Sequence, residues 1–322
     1  MGTRSKSLLG AITLSVLLSG CEKTFTPKGT YQDKMVVYAI LSNRTDTQYV
    51  RIYTTYDPTG FNPLTNTEET MVRGAGVTVT GSSQPFRFQE AIVPRSDKSR
   101  YGSDIVTYVS YPFSLQPGST YMLNISAPQY GTVTSSVVVP KQGRVQMLNA
   151  YVLFGRGEED ENIVVYGWIK ELTYGVMARL YIIYDVLEGQ RWVRRAEEIP
   201  AAMAQTADGT VVFGYPGLRK RQTSTLIVDK EVNETFVFLK KLYFSRLNDI
   251  YTRHLAGSVR VTNALAIVTQ VDRNLYTYMK LANSFDDPYS MRTDSPDFSN
   301  ITGGRGVFGA MVEDSLWVNL TQ

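Results

Sequence analysis

Short stretches in which apolar and polar residues alternate recur along this chain, and that period of two does most to limit its fold. In QYVRIYT, Val50 and Ile52 share one face while Arg51 and Tyr53 share the other. GVTVTG sends Val77 and Val79 one way and its threonines the other, and LQPGSTYMLNIS is a turn followed by Tyr121, Leu123 and Ile125 on one face. Only extended backbone brings residues i and i+2 together, so each stretch reads as a half-buried strand. Met35 to Leu41 (MVVYAIL) is continuously apolar instead, as expected of a central strand buried on both faces. Val137 to Val139 is closed by Pro140, which has no N–H to extend a ladder. Strand signals at this spacing between 34 and 140 predict an immunoglobulin- or fibronectin-like β-sandwich. With a single cysteine in 322 residues, the Cys-Trp-Cys core of an antibody-type domain is excluded.

From 145 to 322 the rhythm changes but stays largely β. NIVVYGWI, RLYIIYDVL, STLIVDKEV, TFVFLKKLYF and SVRVTNALAIVTQV each read as a strand. Val271 to Ser284 breaks the pattern: Val271, Leu275, Tyr278, Met279 and Ala282 recur at three- and four-residue steps, giving one apolar helical face. Asp286-Asp287-Pro288 then stops it. The fold expected is mainly β: a sandwich, then a second β-rich domain with one helix packed on it.

The lone cysteine bears on location. Arg4 and Lys6 precede an eleven-residue apolar run, Leu8 to Leu18, and Ser19-Gly20-Cys21 follows it. At about 1.5 Å rise per residue this run is too short for a bilayer core of ~30 Å, so residues 1–20 read as a removed signal peptide. Leu18-Ser19-Gly20-Cys21 resembles a bacterial lipobox, in which the cysteine thiol is diacylated and the new amine acylated after cleavage. Cys21 is thus expected to carry a covalent lipid, and two or three acyl chains give stable anchoring. Residues 21–33 read as a lipidated tether. The mature body then has no thiol for a disulfide, so its stability rests on burial.

Charge excludes one partner class. Removing Arg4 and Lys6 leaves 31 basic residues against 30 acidic ones, near neutrality, and no case for nucleic acid remains.

Candidate sites are few. Gly304-Arg305-Gly306-Val307-Phe308-Gly309 matches G-x-G-x-x-G, but a dinucleotide fingerprint needs a following helix and an acid about 20 residues on. Only 13 residues follow Gly309, and VFGAMV reads as strand, so the expectation is a glycine-rich turn with Phe308 in the core. His254, the sole histidine, lies in IYTRHLAG with no nucleophile elbow or ligand pattern beside it, and no catalytic role is assigned to it. No zinc or other cofactor is expected either. Glu158-Glu159-Asp160-Glu161 offers oxygen ligands for calcium but lacks the D-x-D-x-D-G loop spacing, and a solvated turn is the alternative. Arg191, Arg194 and Arg195, with Arg219, Lys220 and Arg221, form two basic clusters that suit an acidic partner or lipid headgroups, or else solvated loops. Tyr53, Tyr56, Tyr101, Tyr108 and Tyr111 suit partner or glycan contact, although strands favour tyrosine in any case.

Three stretches carry a family resemblance: KMVVYAIL after the cysteine, FSLQPGSTYMLNIS, and NLYTYMKLANSF followed by SNITGGRGVFGAMVEDS. Together they resemble a family of Bacteroidota outer-membrane lipoproteins of unknown function. The closing signature is Asn300-Ile301, Gly303-Gly304 and Gly306-Val307-Phe308-Gly309. The resemblance implies a carboxypeptidase-regulatory-like sandwich at 34–140, a second β-rich part, and a gene neighbourhood shared with TonB-dependent receptors. It supplies no catalytic residues. Surface-exported lipoproteins of that phylum carry several acids after the cysteine, whereas here Glu22 is followed by Lys23, which leaves the leaflet open. The expectation is a non-enzymatic, lipid-anchored outer-membrane protein, an accessory or substrate-capturing subunit of a TonB-dependent transporter or other β-barrel. A structural or adhesin subunit is the alternative, and a hydrolase in the second region a third.

Overall fold

The period-two stretches become strands. The computed structural model describes residues 31–56, 67–81, 84–99, 101–206, 208–222, 231–283 and 298–321. Cys21 and the signal segment lie outside them, as do most of STLIVDKEV, Ala282's side chain and Asp286-Asp287-Pro288. The first region holds β1 (Met35–Ser42), β2 (Gln48–Thr54), β3 (Gly76–Thr80), β4 (Pro85–Val93), β5 (Ile105–Ser110), β6 (Thr120–Ala127) and β7 (Gly131–Val138). The second begins with β8 (Arg144–Gln146), a 3-10 turn (Ala150–Phe154), β9 (Ile163–Ile169), β10 (Gly175–Glu188) and β11 (Arg191–Glu198). It continues with β12 (Ala202–Gln205), β13 (Val211–Gly214), β14 (Arg219–Lys220) and β15 (Val232–Phe238). Helix α1 (Lys240–Arg253), β16 (Val259–Val271), helix α2 (Arg273–Asn283) and β17 (Arg305–Asn319) complete it.

One large mixed sheet runs in the order β11-β10-β16-β17-β1-β2-β5-β4-β3-β6-β7, with β14 against β10. β8, β9 and β15 form a three-stranded sheet, and β12–β13 a separate hairpin. β4 changes partner midway: Pro85–Phe88 pair with β3, and Gln89–Val93 with β5. Both groups of strands can therefore turn their apolar faces to one cluster, in which Val37, Ile52, Val79, Leu123 and Ile125 are fully buried.

β17 links the two regions. Its first half runs parallel to β1, pairing Arg305 through Met311, and its second half runs antiparallel to β16, pairing Met311 through Asn319. Phe308, Ala310 and Val312 enter the first cluster. Leu316 and Val318 pack on the second, whose centre includes Val165, Leu180, Ile182 and Tyr243. The two apolar cores thus follow the two sequence regions, while one strand serves both.

Three local outcomes refine the sequence reading. Val50 and Ile52, Val77 and Val79, and Tyr121, Leu123 and Ile125 are buried on alternating faces, as their spacing implies. β1 is not buried on both faces: Met35, Val37, Ala39 and Leu41 are buried, but Ile40 is exposed, because only part of its outer face is covered, where Tyr38 meets Tyr278. TFVFLKKLYF is not one strand. It ends as strand at Phe238, and Leu242, Tyr243, Leu247 and Ile250 then recur at helical steps on the buried face of α1.

α2 forms where the three- and four-residue periodicity lies, with Leu275 buried against Val271 and Leu218. Asp272 caps it: one carboxylate oxygen accepts from Asn274 N at 2.7 Å and the other from Leu275 N at 3.3 Å. Val271 is the last residue of β16 rather than the first of the helix.

Candidate functional site

The glycine-rich signature is a structural clasp. Along Arg305–Ala310, β17 has a strand neighbour on one side only among the described residues, and Asn300 and Asp272 complete the other edge. Asn300 accepts from Phe308 N at 2.9 Å and donates to Phe308 O at 2.7 Å. Asp272 accepts from Ala310 N at 2.8 Å, while its own N–H donates to Ala310 O at 3.0 Å. The Asn300 amide, the Asp272 carboxylate and the Asp272 backbone N–H thus take the place of a strand and satisfy the buried backbone.

The glycines fit the same tight passage. Gly306 has φ +106°, and a Cβ there would run into the carbonyl oxygen of Val37. A Cβ at Gly304 would lie 2.7 Å from the Met35 carbonyl, and one at Gly309 2.7 Å from Leu275 Cβ. Ile301 and Phe308 fill the first core. Strand rather than helix follows the motif, and the α2 N-terminus beside Gly309 is already capped by Asp272, so it is not free for a pyrophosphate.

His254 sits at the end of α1, half-buried, its ring 6.1 Å from that of Tyr184. Glu158, Glu159 and Asp160 are exposed in the loop after the 3-10 turn. Glu161 is half-buried and accepts from the Tyr151 hydroxyl at 2.6 Å, the main cause holding its carboxyl below the ordinary value. Among the described residues, no group of three His, Cys, Asp or Glu is placed to hold a metal.

The two basic clusters stay apart. β14 meets β10 at Gly175–Val176, whereas β11 meets it from Tyr181 to Glu188. Nine residues of strand separate Val176 from Asp185, on the order of 30 Å at ~3.3 Å per residue. Most of the arginines are also engaged. Arg194 and Arg260 each donate to Asp185 at 3.1 Å, and Arg195 pairs with Glu188. Burial raises the Asp185 carboxyl, but the hydrogen bonds from these two arginines outweigh it and hold the group below its ordinary range. Arg219 is structural: it pairs with the fully buried Glu234 at 2.9 Å, donates to Thr235 O and stacks on Phe236. Lys220 lies over the Tyr174 ring, and Arg221 donates to Lys170 O. Arg191, at the hairpin end of β11, is exposed.

Of the tyrosines, Tyr108 is core, donating to Val72 O while accepting from Ala75 N. Tyr53 lies in β2 and Tyr56 just beyond it, both half-buried. Tyr101 is half-buried beneath Arg95, and Tyr111 is exposed. They do not form one surface.

A feature not legible beforehand stands next to β11. Three residues beyond that strand the chain enters the β12–β13 hairpin, whose strands pair only with each other among the described residues. Met203, Val211 and Val212 are each close to half exposed on it, and Tyr215 follows at 52% exposure. One ring anchors it: Phe213 lies under the Arg246 guanidinium of α1 at 4.2 Å. A two-stranded hairpin is marginally stable alone, so exposed apolar side chains on one mark a surface suited to being covered. β11 is itself a sheet edge, and its charged RWVRRAEE sequence discourages indiscriminate strand pairing. Trp192, exposed on this edge, is stacked by Arg260 at 4.3 Å. Together β11 and the hairpin offer aromatic, apolar and arginine groups, the composition that recurs in protein–protein contact.

A family described as a domain of unknown function, DUF4249, matches residues 22–316. The chain belongs to that family. No curated protein matches this DUF4249 member. Among solved structures, the C-terminal globular domain of an oligosaccharyltransferase from Pyrococcus abyssi aligns at 9% identity and a TM-score of 0.23. The alignment covers 72% of this chain and 47% of that one, so it spans about half that structure's length. So slight a likeness assigns no fold.

Proposed function

We propose that this protein is a lipid-anchored outer-membrane protein that acts by contact, as an accessory or substrate-capturing subunit of a TonB-dependent transporter or another outer-membrane β-barrel. The anchor is Cys21, set between a short apolar run and a polar tether. The region 34–140 is read as an immunoglobulin-like sandwich, supported by the partner change within β4 and the single cluster both strand groups face. The observation that carries the contact role is the β12–β13 hairpin, with Met203, Val211 and Val212 exposed on it close in the chain to the arginine-bearing edge strand β11.

The test has two readouts on one preparation. Membranes solubilised in mild detergent are passed over affinity-tagged protein, and the N-terminal peptide is weighed. The reading requires an acylated Cys21 and a co-eluting large β-barrel. An unacylated residue 21 would remove the anchor, and recovery of the monomer alone would remove the partner. Recovery of higher multiples of the chain would favour a fibre or adhesin subunit.

A further inference from the structure

Among the described residues the large sheet is open at β11, and the charges along that edge are segregated. The strand reads RWVRRAEE, with Ala196 standing between Arg194-Arg195 and Glu197-Glu198.

The β10–β11 pairing decides which backbone groups face outward. Ile199 N donates to Leu180 O at 2.8 Å, in line with the register that sets Tyr181 opposite Glu198. Successive residues of an antiparallel strand point their N–H and C=O to opposite sides. Glu197, Arg195, Val193 and Arg191 therefore bond to β10 as Ile199 does, and the two-residue turn Gly189-Gln190, closed by Glu188 and Arg191, agrees. Trp192, Arg194, Ala196 and Glu198 turn their backbone groups to the open side. No other backbone bond reaches them there among the described residues, and Ala196 is exposed.

A second β11 could add to this edge about a two-fold axis only where outward-facing residues meet one another, which requires the axis to pass through a residue. Axes through Arg191, Arg194, Arg195, Glu197 or Glu198 each set two like charges face to face, and one through Val193 sets Arg191 opposite Arg195. An axis through Trp192 carries Arg194 past the end of the strand. Through Ala196, Arg194 meets Glu198 of the second copy and Arg195 meets its Glu197, both again in reverse, with two methyl groups at the centre.

We propose that β11 pairs with β11 of a second copy of this chain, antiparallel about a two-fold axis through Ala196, so that one sheet runs through both. Residues directly opposite across such a pair share a face, so every one of these charges meets its opposite at close range. Arg194 already donates to Asp185, Glu198 pairs with Arg179 at 3.6 Å, and Glu197 pairs with Arg253. A carboxylate accepts from several donors, so the second copy's arginines extend these pairs into rows of alternating sign. The same charges that turn away other strands thus admit this one in a single register. Pairing consumes both edges, so assembly stops at two and builds no fibre. None of this depends on the lipid anchor or on a barrel partner.

The test uses the full chain in its own membrane, carrying Ala196→Cys. Across a hydrogen-bonded pair the Cα atoms stand about 5.5 Å apart, within the roughly 4.4–6.8 Å that a disulfide spans. Mild oxidation should convert most of the chain to a covalent dimer. Arg191→Cys is the control, because an axis through Ala196 holds its two copies on the order of 30 Å apart at ~3.3 Å per residue. That chain keeps Cys21, so it also reports any link through the native thiol. Added to Ala196→Cys, the pair Arg194→Glu/Arg195→Glu should lower the dimer yield at least tenfold, and so should Glu197→Arg/Glu198→Arg. Co-expressed, the two charge-reversed chains should link to each other at the yield of Ala196→Cys alone. Any of three results overturns the proposal: no covalent dimer from Ala196→Cys, an equal yield from Arg191→Cys, or co-expressed reversed chains that link no better than either one by itself.

Discussion

Replacing Asn300 by alanine tests the clasp on β17. The side chain makes two bonds to one residue, accepting from Phe308 N at 2.9 Å and donating to Phe308 O at 2.7 Å. Phe308 is fully buried, so alanine leaves a backbone donor and a backbone acceptor without partners. Each buried orphan costs about 1–3 kcal/mol, or about 2–6 kcal/mol for both. Asn300 itself is only half-buried, so water entering the space left by the amide recovers part of this. The expected loss is therefore about 2–4 kcal/mol. Urea unfolding followed by tryptophan fluorescence reads it directly, through Trp168, Trp192 and Trp317. The midpoint should fall with the slope unchanged, since the surface exposed on unfolding is the same. Thr302→Ala, exposed two residues beyond Asn300, should stay within about 0.5 kcal/mol of wild type. Asp272 completes the same strand edge at Ala310, so the double variant Asn300→Ala/Asp272→Ala should be non-additive, as neighbouring sites are. A single Asn300→Ala variant within about 0.5 kcal/mol of wild type would refute the clasp.

Three further outcomes follow from the same geometry. Arg219→Ala strands the buried Glu234 carboxylate and should destabilise by about 3–5 kcal/mol in the same urea assay, whereas Arg191→Ala, at the exposed end of β11, should be near neutral. Gly306→Ala meets the Val37 carbonyl at a φ of +106° and should leave the chain insoluble or unfolded by circular dichroism. Burial raises the Asp272 carboxyl above its ordinary 3.8, although three backbone N–H donors oppose the shift. The folded state then holds that proton more readily than the unfolded chain, so the stability this group contributes is present below 3.8 and lost as pH rises through the raised value. Unfolding free energies at neutral pH and near pH 4 should show wild type gaining on Asp272→Asn as the solution is acidified; a constant difference would contradict it.

Strand identity was largely legible because alternation is a local property: Val77 and Val79, or Leu123 and Ile125, need only a core on one side. Helix α2 was legible for the same reason at a different period. Helix α1 was not, because only Leu239 and two lysines separate Phe238 of β15 from Leu242 and Tyr243, with no Gly or Pro to mark the change of period. The signal lay further on, in the steps from Tyr243 to Leu247 and Ile250. The full burial expected of β1 failed because an apolar run shows that a strand tolerates burial, while the coverage of its outer face depends on elements distant in sequence. The glycine signature announced a tight passage but not what it passes, since β1 lies some 270 residues upstream of β17. The arginines of β11 could be named from sequence, yet their neutralisation by Asp185 and Glu188 depends on the cross-strand register of the β10–β11 hairpin, which charge spacing alone does not display. The exposed hairpin was missed because AMAQ and VVFG look like ordinary strands; what sets them apart is that no third strand lies against them among the described residues.

A role by contact requires that the hairpin touch another protein in the intact membrane. A photo-crosslinking residue at Val212, with a second one at the exposed Met122 of β6 as control, addresses that directly. On irradiation in living cells, the Val212 position should give one adduct with a large outer-membrane β-barrel, and Met122 should not. No adduct at Val212, or the same products from both positions, would contradict a role through this contact.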